Sequence, residues 1–593
     1  MIYPSLNEQS RSRIVTETFR GYDHRLKILP GQWYDEENIT AAHYPLFSQR
    51  AKRGRVLTMD NPLGLLAKDA LMYIDGSSVY YNGLRVEGVN LSTAEDMLPK
   101  QLVSMGAYAV IFPDKVYINT ADLSDVGSLD ARFAALSTDN VSVQLCRADG
   151  AEYEAPASAE APANPANGDM WIDTSGDTHV LRQYSEYMSS WSEVPTVYVR
   201  VGCKGVGVNF SAGDGVRVSG LVSADAAVNA QLKTLMGDGY QIVQALGDDY
   251  LVLTGILDGT HSQTGGLVIT RDCPDMDYVT ESDNRIWGCR YGLVDGETVN
   301  EIYACKLGDP KNWRAYAGLS TDSYAVSVGS DGKFTGAATH LGYPLFFKEG
   351  CIHKIYGSLP ESFQVNTTMC RGVQDGAWRS LAIVNEVLYY QSRTDICAYD
   401  GSLPAGVSDE LGGVKYTLGA AGSDGAVYYI SMRDAAGGWH MFTYDTDKAM
   451  WHREDGVHAL CFANVRGDLM YIDADTRSLM SACGRSGEPE GEVSWRAESG
   501  IMGYEYPYSQ YLSRFNIRAR LGEGAKMTMS LEYDSEDGWV EMGTYSGTAA
   551  VRTVNIPVIP RRCDHLRLKL SGVGDVKIYS ISRILEGGSD VWR

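Results

Sequence analysis

Five short apolar runs recur through the middle of this chain: Arg285-Ile286-Trp287-Gly288, Pro344-Leu345-Phe346-Phe347, Val387-Leu388-Tyr389-Tyr390, Val427-Tyr428-Tyr429-Ile430 and Leu469-Met470-Tyr471-Ile472. With Trp287, Phe346, Tyr389, Tyr429 and Tyr471 as anchors, the steps are 59, 43, 40 and 42 residues. Polar turn residues follow these runs, and a second apolar-aromatic run comes next, as at 351–356, 395–400 and 439–445. Such alternation between turn residues predicts β-hairpins. A recurrence near 40 residues in a β-rich chain predicts propeller blades, whose radial repetition leaves only short sheet edges open. The pattern begins earlier in the chain. Residues 71–76 lead through an Asp-Gly turn into 78–83, which ends in Asn-Gly, and 107–118 repeat the motif, with 38 residues from Tyr73 to Ile111. Hearts near 73, 111, 287, 346, 389, 429 and 471 predict an all-β fold, a β-propeller of about seven blades. Six or eight are allowed if one blade is split between the chain ends.

The period is interrupted by about 130 residues, more than a connecting loop needs, so the stretch 136–272 is expected to fold in its own right. It opens with an Ala/Pro-rich linker at 155–168 and continues into a compact aromatic segment carrying Trp171, Tyr184, Tyr187 and Trp191. Strand patterns at 196–201, 214–220, 240–243 and 249–253, with a short helix at 226–235, predict a small β-barrel. The propeller then occupies 51–135 and 273–484. Residues 1–50 read as a lead-in that supplies a ring-closing strand to the propeller, or as an extended arm over its surface. A linker at 484–491 precedes 492–593, where strict alternation with frequent turns predicts a C-terminal β-sandwich or jelly roll.

Composition narrows the function classes. Hydrophobic residues at 44% and charged ones at 21% describe a globular chain. A formal charge of −23 opposes gripping nucleic acid through phosphate neutralisation, though not a wall past which DNA slides. The opening 1–8 lacks the apolar run of a signal peptide, and no stretch approaches the roughly 20 apolar residues of a membrane span, so folding in the cytoplasm is expected. The 11 cysteines include no Cys-x-x-Cys, which favours buried structural thiols over zinc ligands.

Catalytic signatures are absent from the sequence: no Gly-x-Ser-x-Gly elbow, no Walker loop and no His-Glu-x-x-His. Ser330–Thr335 and Ser535–Trp539 only graze a sialidase Asp box. Asp445-Thr446-Asp447 and Asp473-Ala474-Asp475 are expected to cap hairpin turns, since neither continues into a calcium loop. His340, His353, His452 and His458 lack further ligands at metal spacing. No enzyme activity, cofactor or metal is expected. Two groups remain as contact candidates. The rings of Trp171, Tyr184, Tyr187 and Trp191 suit either a module core or contact with a partner or a glycan. The C-terminal cations Arg514, Arg518, Arg520, Arg561, Arg562, Arg567 and Lys569 read either as a solvated sheet face or as a dock for an acidic neighbour, with Arg518 and Arg520 taken as the contact residues.

Several strings carry a resemblance: Ser282-Asp283-Asn284-Arg285-Ile286-Trp287-Gly288, Leu307-Gly308-Asp309-Pro310-Lys311-Asn312-Trp313, Gly342-Tyr343-Pro344-Leu345-Phe346-Phe347-Lys348-Glu349 and Ala398-Tyr399-Asp400-Gly401. Together with the lead-in 42–50, they resemble β-propeller virion proteins of tailed bacteriophages and prophages, the tail hub and nozzle proteins of short-tailed phages. The resemblance implies a ring, commonly of six copies, that forms the wall of the DNA-ejection conduit and retains the packaged genome. It also implies adaptor or portal and tail-fibre proteins as partners, DNA that passes without specific binding, and a place in the virion tail after assembly in the host cytoplasm. The alternative is a tail-tip adsorption protein that binds cell-surface glycan.

Overall fold

The computed structural model describes residues 11–237, 239–294, 296–503, 510–535, 538–558 and 561–587. The opening 1–8 and residues Glu536 and Asp537 of the Asp-box-like string therefore lie outside the described residues. The chain is all-β and built from many small sheets, with one α-helix, Ala226–Met236, among the described residues.

Seven sheets are antiparallel meanders whose strands follow one another in sequence, spanning 62–85, 101–128, 278–327, 336–369, 382–406, 416–453 and 459–481. Their first strands touch in chain order: Pro62–Lys68, Gln101–Met105, Tyr278–Ser282, Gly336–His340, Ala382–Val384, Tyr416–Ser423 and Ala459–Val465, and the last returns to Pro62–Lys68. Between Gly336–His340 and Ala382–Val384 the contact runs through the turn Trp378–Ser380. The apolar hearts are the second strands. Leu345, Phe346 and Phe347 are fully buried, as are Tyr428 and Ile430, because each such strand has a neighbouring sheet on both faces. Double-sided burial explains why these positions read as continuous apolar runs rather than as alternation. Each ring so buried contributes about 1.5–3 kcal/mol.

The ring-closing strand is not supplied by 1–50. Gly54–Thr58 pairs with Ser478–Ser481 and completes the last meander. The earlier strands Arg11–Thr16, Trp33–Glu37, Ile39–Thr40 and Phe47–Gln49 instead join the two C-terminal sheets. The reason lies in their aromatic content: Phe19, Trp33 and Phe47 pack with Trp495 in the core between those sheets. One sheet is ordered Ile39–Thr40, Phe47–Gln49, Val576–Gly587, Gln510–Leu521, Val551–Ile556; the other is Trp33–Glu37, Ser494–Ser499, Leu566–Val573, Lys526–Tyr533, Val540–Ser546. In Gln510–Leu521, Leu512 and, beyond a bulge, the alternate residues Phe515, Ile517, Ala519 and Leu521 face inward and are buried.

The insert contains a five-stranded and a four-stranded sheet sharing one core. Strands fall at Tyr198–Gly202, Gly215–Ser219, Gln241–Ile242 and Tyr250–Thr254. The helix starts at Asp225, whose side chain accepts from the Ala227 and Val228 amides, and seats Leu232 and Leu235 in that core. The aromatic segment forms a separate four-stranded sheet, Ala157–Ser158, Met170–Asp173, Val180–Ser185 and Ser190–Glu193.

Candidate interaction surfaces

Of the four aromatic candidates of the insert, Trp171, Tyr184 and Trp191 form one ring cluster and Tyr187 stands apart. Trp171 is 5% exposed: its indole N–H donates to the Ser158 carbonyl at 3.1 Å and hydroxyl at 3.0 Å, and its ring packs against Trp191 at 5.4 Å between centroids, on the sheet face opposite Ile172 and Leu181. Trp171 is thus the buried member of that ring cluster. Tyr184 and Trp191 are directly opposite across adjacent strands, half-buried, with ring centroids 5.4 Å apart. Tyr187, in the turn between those strands, is 96% exposed, and Met188 beside it is exposed as well. Only the outer part of the hairpin is therefore available to a partner.

The C-terminal cations also divide by face. Arg514, Arg518 and Arg520 project outward from Gln510–Leu521, opposite the buried alternates. Register extends this face over neighbouring strands: Arg520 lies opposite Lys577, while Arg514 and Arg13 flank Ile584 from either side. Arg11 adds a sixth cation, 3.6 Å from Glu586. Arg520 reaches Asp575 at 3.5 Å, and Arg518 donates to the Thr553 hydroxyl at 3.4 Å. Arg13, Arg514, Arg518 and Lys577 have no carboxylate within ion-pair distance among the described residues. Arg567 and Lys569 belong elsewhere. On the other sheet, Arg567 pairs with Glu532 at 3.2 Å and Glu498 at 3.4 Å, and Lys569 with Glu498 at 3.3 Å, so their charges are spent internally. Arg561 lies over the Tyr533 ring.

A buried ionic junction couples ring and sandwich. Arg53, 4% exposed at its side chain, lies 2.5 Å from Glu454 and 2.9 Å from Asp455. Arg50 donates to the Asn38 side chain at 2.7 Å and reaches Asp455 at 3.1 Å and Glu490 more closely still. Burial alone would raise the Asp455 carboxyl, but Arg53 and Arg50 reverse this and hold it below its ordinary value. Glu490 is likewise lowered against its own desolvation by the Arg50 side chain and the Arg53 amide. Outside the network, His452 lies 2.7 Å from the buried Glu36, and Arg453 lies 2.7 Å from Asp35. These contacts seat the edge strand Met450–Arg453 of the ring against Trp33–Glu37 of the sandwich.

The remaining candidates have local partners. Asp473 accepts from the Asp475 and Thr476 amides as a turn cap, and Asp445 binds Lys448 at 2.6 Å. His340 is bonded at 2.7 Å to the Glu386 carbonyl, and His353 sits between Ser330 and Thr367 at 2.8 and 2.9 Å. Among the described residues no group of three or more His, Cys, Asp or Glu is arranged to hold a metal. All 11 cysteines are free, and burial pushes Cys305 and Cys397 up to about 12. No helix among the described residues is long and apolar enough to cross a membrane.

The junction is not legible in the sequence and the basic face only in part, for different reasons. Arg50, Arg53, Glu454, Asp455 and Glu490 are scattered over more than 400 positions, and no local pattern joins them. Arg518 and Arg520 share a face through simple alternation, whereas Arg11, Arg13 and Lys577 are brought there by strand pairing.

No family model matches the chain, and no curated protein matches it. Among solved structures, an engineered GH43 glycoside hydrolase aligns at 10% identity and a TM-score of 0.20, covering 53% of this chain and 97% of that one. The extracellular domain of a one-component system from B. thetaiotaomicron aligns at 9% identity and a TM-score of 0.21, covering 91% and 99%. An exo-beta-1,3-galactanase from Phanerochaete chrysosporium aligns at 8% identity and a TM-score of 0.15, covering 76% and 100%. At these scores the likenesses carry no inference about activity.

Proposed function

We propose that this chain is a structural component of a bacteriophage tail, a nozzle or hub subunit whose copies stand side by side in a ring around the DNA-ejection conduit. In this reading the seven meanders are the blades of a seven-bladed propeller divided between 51–135 and 273–484, with 136–272 as an insert and 492–593 as a sandwich completed by the N-terminal strands. The observation that carries the reading is the basic outer sheet face on a chain of net charge −23. A cationic patch on an acidic protein is complementary to the surface of another copy, and the contact is head-to-tail, the kind that closes into rings. Six copies, docking to adaptor or portal above and tail fibres beside, follow from the resemblance in sequence. An acidic wall repels phosphates, so DNA passes without specific binding. Assembly in the host cytoplasm and residence in the virion tail belong to the same reading.

Sedimentation of the purified chain tests it. The wild type is expected to associate in a salt-dependent manner, and Arg514→Glu with Arg518→Glu to leave it monomeric with unchanged unfolding temperature. Association indifferent to both salt and charge reversal would remove the support of the basic face.

A second reading, a tail-tip adsorption protein, is favoured by the exposed Tyr187 beside the half-exposed Tyr184 and Trp191. Binding on a glycan array that is lost in Trp191→Ala and Tyr187→Ala would select it over the structural role.

A further inference from the structure

Independently of the tail reading, one cavity has the composition of a ligand site. It holds about 640 Å³ and lies where the second-to-third-strand turns of two ring sheets, at Glu349-Gly350 and 391–396, meet the connector 408–416. Turns of this kind and inter-sheet connectors share one end of each meander, so the cavity opens on a single face of the ring. Its volume falls within the range of small-molecule sites, roughly 300–1,000 Å³.

The floor is apolar, formed by Ile396, Leu411 and Met432, all buried. Set into it are two polar side chains, each more than nine-tenths buried. Gln391, 2% exposed, uses its carbonyl oxygen to accept from the Gly419 amide at 2.8 Å, while its NH₂ group has no partner among the described residues. Ser408, 8% exposed, accepts from the Ile396 amide at 2.8 Å and keeps its hydroxyl proton for another acceptor. The NH₂ group lines the cavity, where it can donate to water or to a ligand.

Charge is placed at the rim. Arg371 and Asp395 form a close ion pair, and Asp395 is further held by Ser392 at 2.5 Å and Thr394 at 3.0 Å, so these two neutralise each other. Glu349 accepts from the Asp375 amide at 3.2 Å. Arg393 and Lys415, both exposed, have no ion-pair partner among the described residues. The lining therefore carries three cations against two carboxylates on a strongly acidic chain.

We propose that this cavity binds a hexose carrying one acidic group. The sugar ring lies over the apolar floor, its hydroxyls accept from Gln391 and Ser408, and its carboxylate or phosphate is held by Arg393 and Lys415. A planar guanidinium suits either anion through paired hydrogen bonds. A ligand with hydroxyls along its body and a charge at one end matches both sets of donors; a neutral sugar leaves the cations unused, and a bare anion leaves the buried amide unmet.

Calorimetric titration of the full chain at low salt with D-glucuronate, D-glucose 6-phosphate and D-glucose tests this. At least one acid is expected to bind about tenfold more tightly than glucose, since each charged hydrogen bond adds that much or more. Preference between the two acids identifies the anion as carboxylate or phosphate. Arg393→Ala with Lys415→Ala is expected to erase the advantage without shifting the unfolding temperature. Gln391→Glu, which keeps the acceptor for Gly419 and replaces the free donor by negative charge, is expected to abolish acid binding. Equal binding of all three sugars, no binding at millimolar concentration, or acid binding undiminished in the rim variant would overturn the assignment.

Discussion

Replacing Arg53 by methionine is expected to loosen the ring at its closure. The substitution removes the contacts at 2.5 Å to Glu454 and 2.9 Å to Asp455 and leaves Glu454, 9% exposed, with only Arg50 at 3.9 Å. Breaking a buried pair costs about 3–5 kcal/mol because a charge is left without its partner. Asp455 is 29% exposed and retains Arg50 at 3.1 Å, so the lower end, about 3 kcal/mol, applies here. At 1.4 kcal/mol per factor of ten, the open population rises on the order of a hundredfold. Native-state hydrogen exchange reads this directly at the Gly54–Thr58 amides, whose ladder with Ser478–Ser481 closes the ring. Amides of Tyr198–Gly202 in the insert serve as a control and should not change. Adding Glu454→Met is expected to restore most of the protection, since removing both charges leaves less uncompensated charge than removing one. A loss of protection below about tenfold in Arg53→Met would mean the junction is water-screened, and the clamp argument would fail.

The same junction has an acid limit. Asp455 and Glu490 are held below their unfolded values, so their stabilisation is complete at neutral pH, present above about pH 4, and lost as pH falls through the folded values; Arg53→Met should flatten that acid limb in urea titrations. His353, fully buried and desolvated with Lys348 nearby, is pushed down to about 4 from 6.5. The unfolded state therefore binds the extra proton between those values, and stability should fall by about 3 kcal/mol as pH drops through that window; His353→Gln should remove that slope in denaturant midpoints, and an unchanged slope would refute the assignment. A β-carbon at Gly54 would overlap the Ser486 carbonyl, so Gly54→Ala should destabilise the closing strand in thermal unfolding. Trp171→Ala should cost about 3–5 kcal/mol of insert stability as a core deletion, whereas Tyr187→Ala should leave the unfolding temperature in place.

What could be read beforehand depended on how local each signal was. The hearts at Phe346, Tyr389, Tyr429 and Tyr471 stood out because both faces of a second strand are buried, which writes an uninterrupted apolar run into the chain. The short helix expected at 226–235 is found at Ala226–Met236, where only Leu232 and Leu235 are buried and Asp225 caps the first turn. The place of the N-terminal strands is not legible: Ile39–Thr40 and Phe47–Gln49 have two and three residues, too short for any period, and their place in the C-terminal sheets is fixed by Val576–Gly587 far along the chain. The aromatic segment is legible as a group, but its division is not: register sets Trp171 on one sheet face with Tyr184 and Trp191, where the Trp191 ring covers it, while Tyr187 occupies a turn. The Gln391 and Ser408 cavity leaves no mark in the sequence, since a Gln ending an apolar strand and a Ser in a connector are joined only by the packing of two sheets.

Electron microscopy of the purified chain, at concentrations where neighbouring copies meet, tests the structural role most directly. The account expects closed rings of copies, with the Arg514 and Arg518 face of each sandwich at the contact with the next and a central opening wide enough for duplex DNA. Isolated monomers at every concentration, or assemblies whose contacts leave that face in solvent, would contradict it.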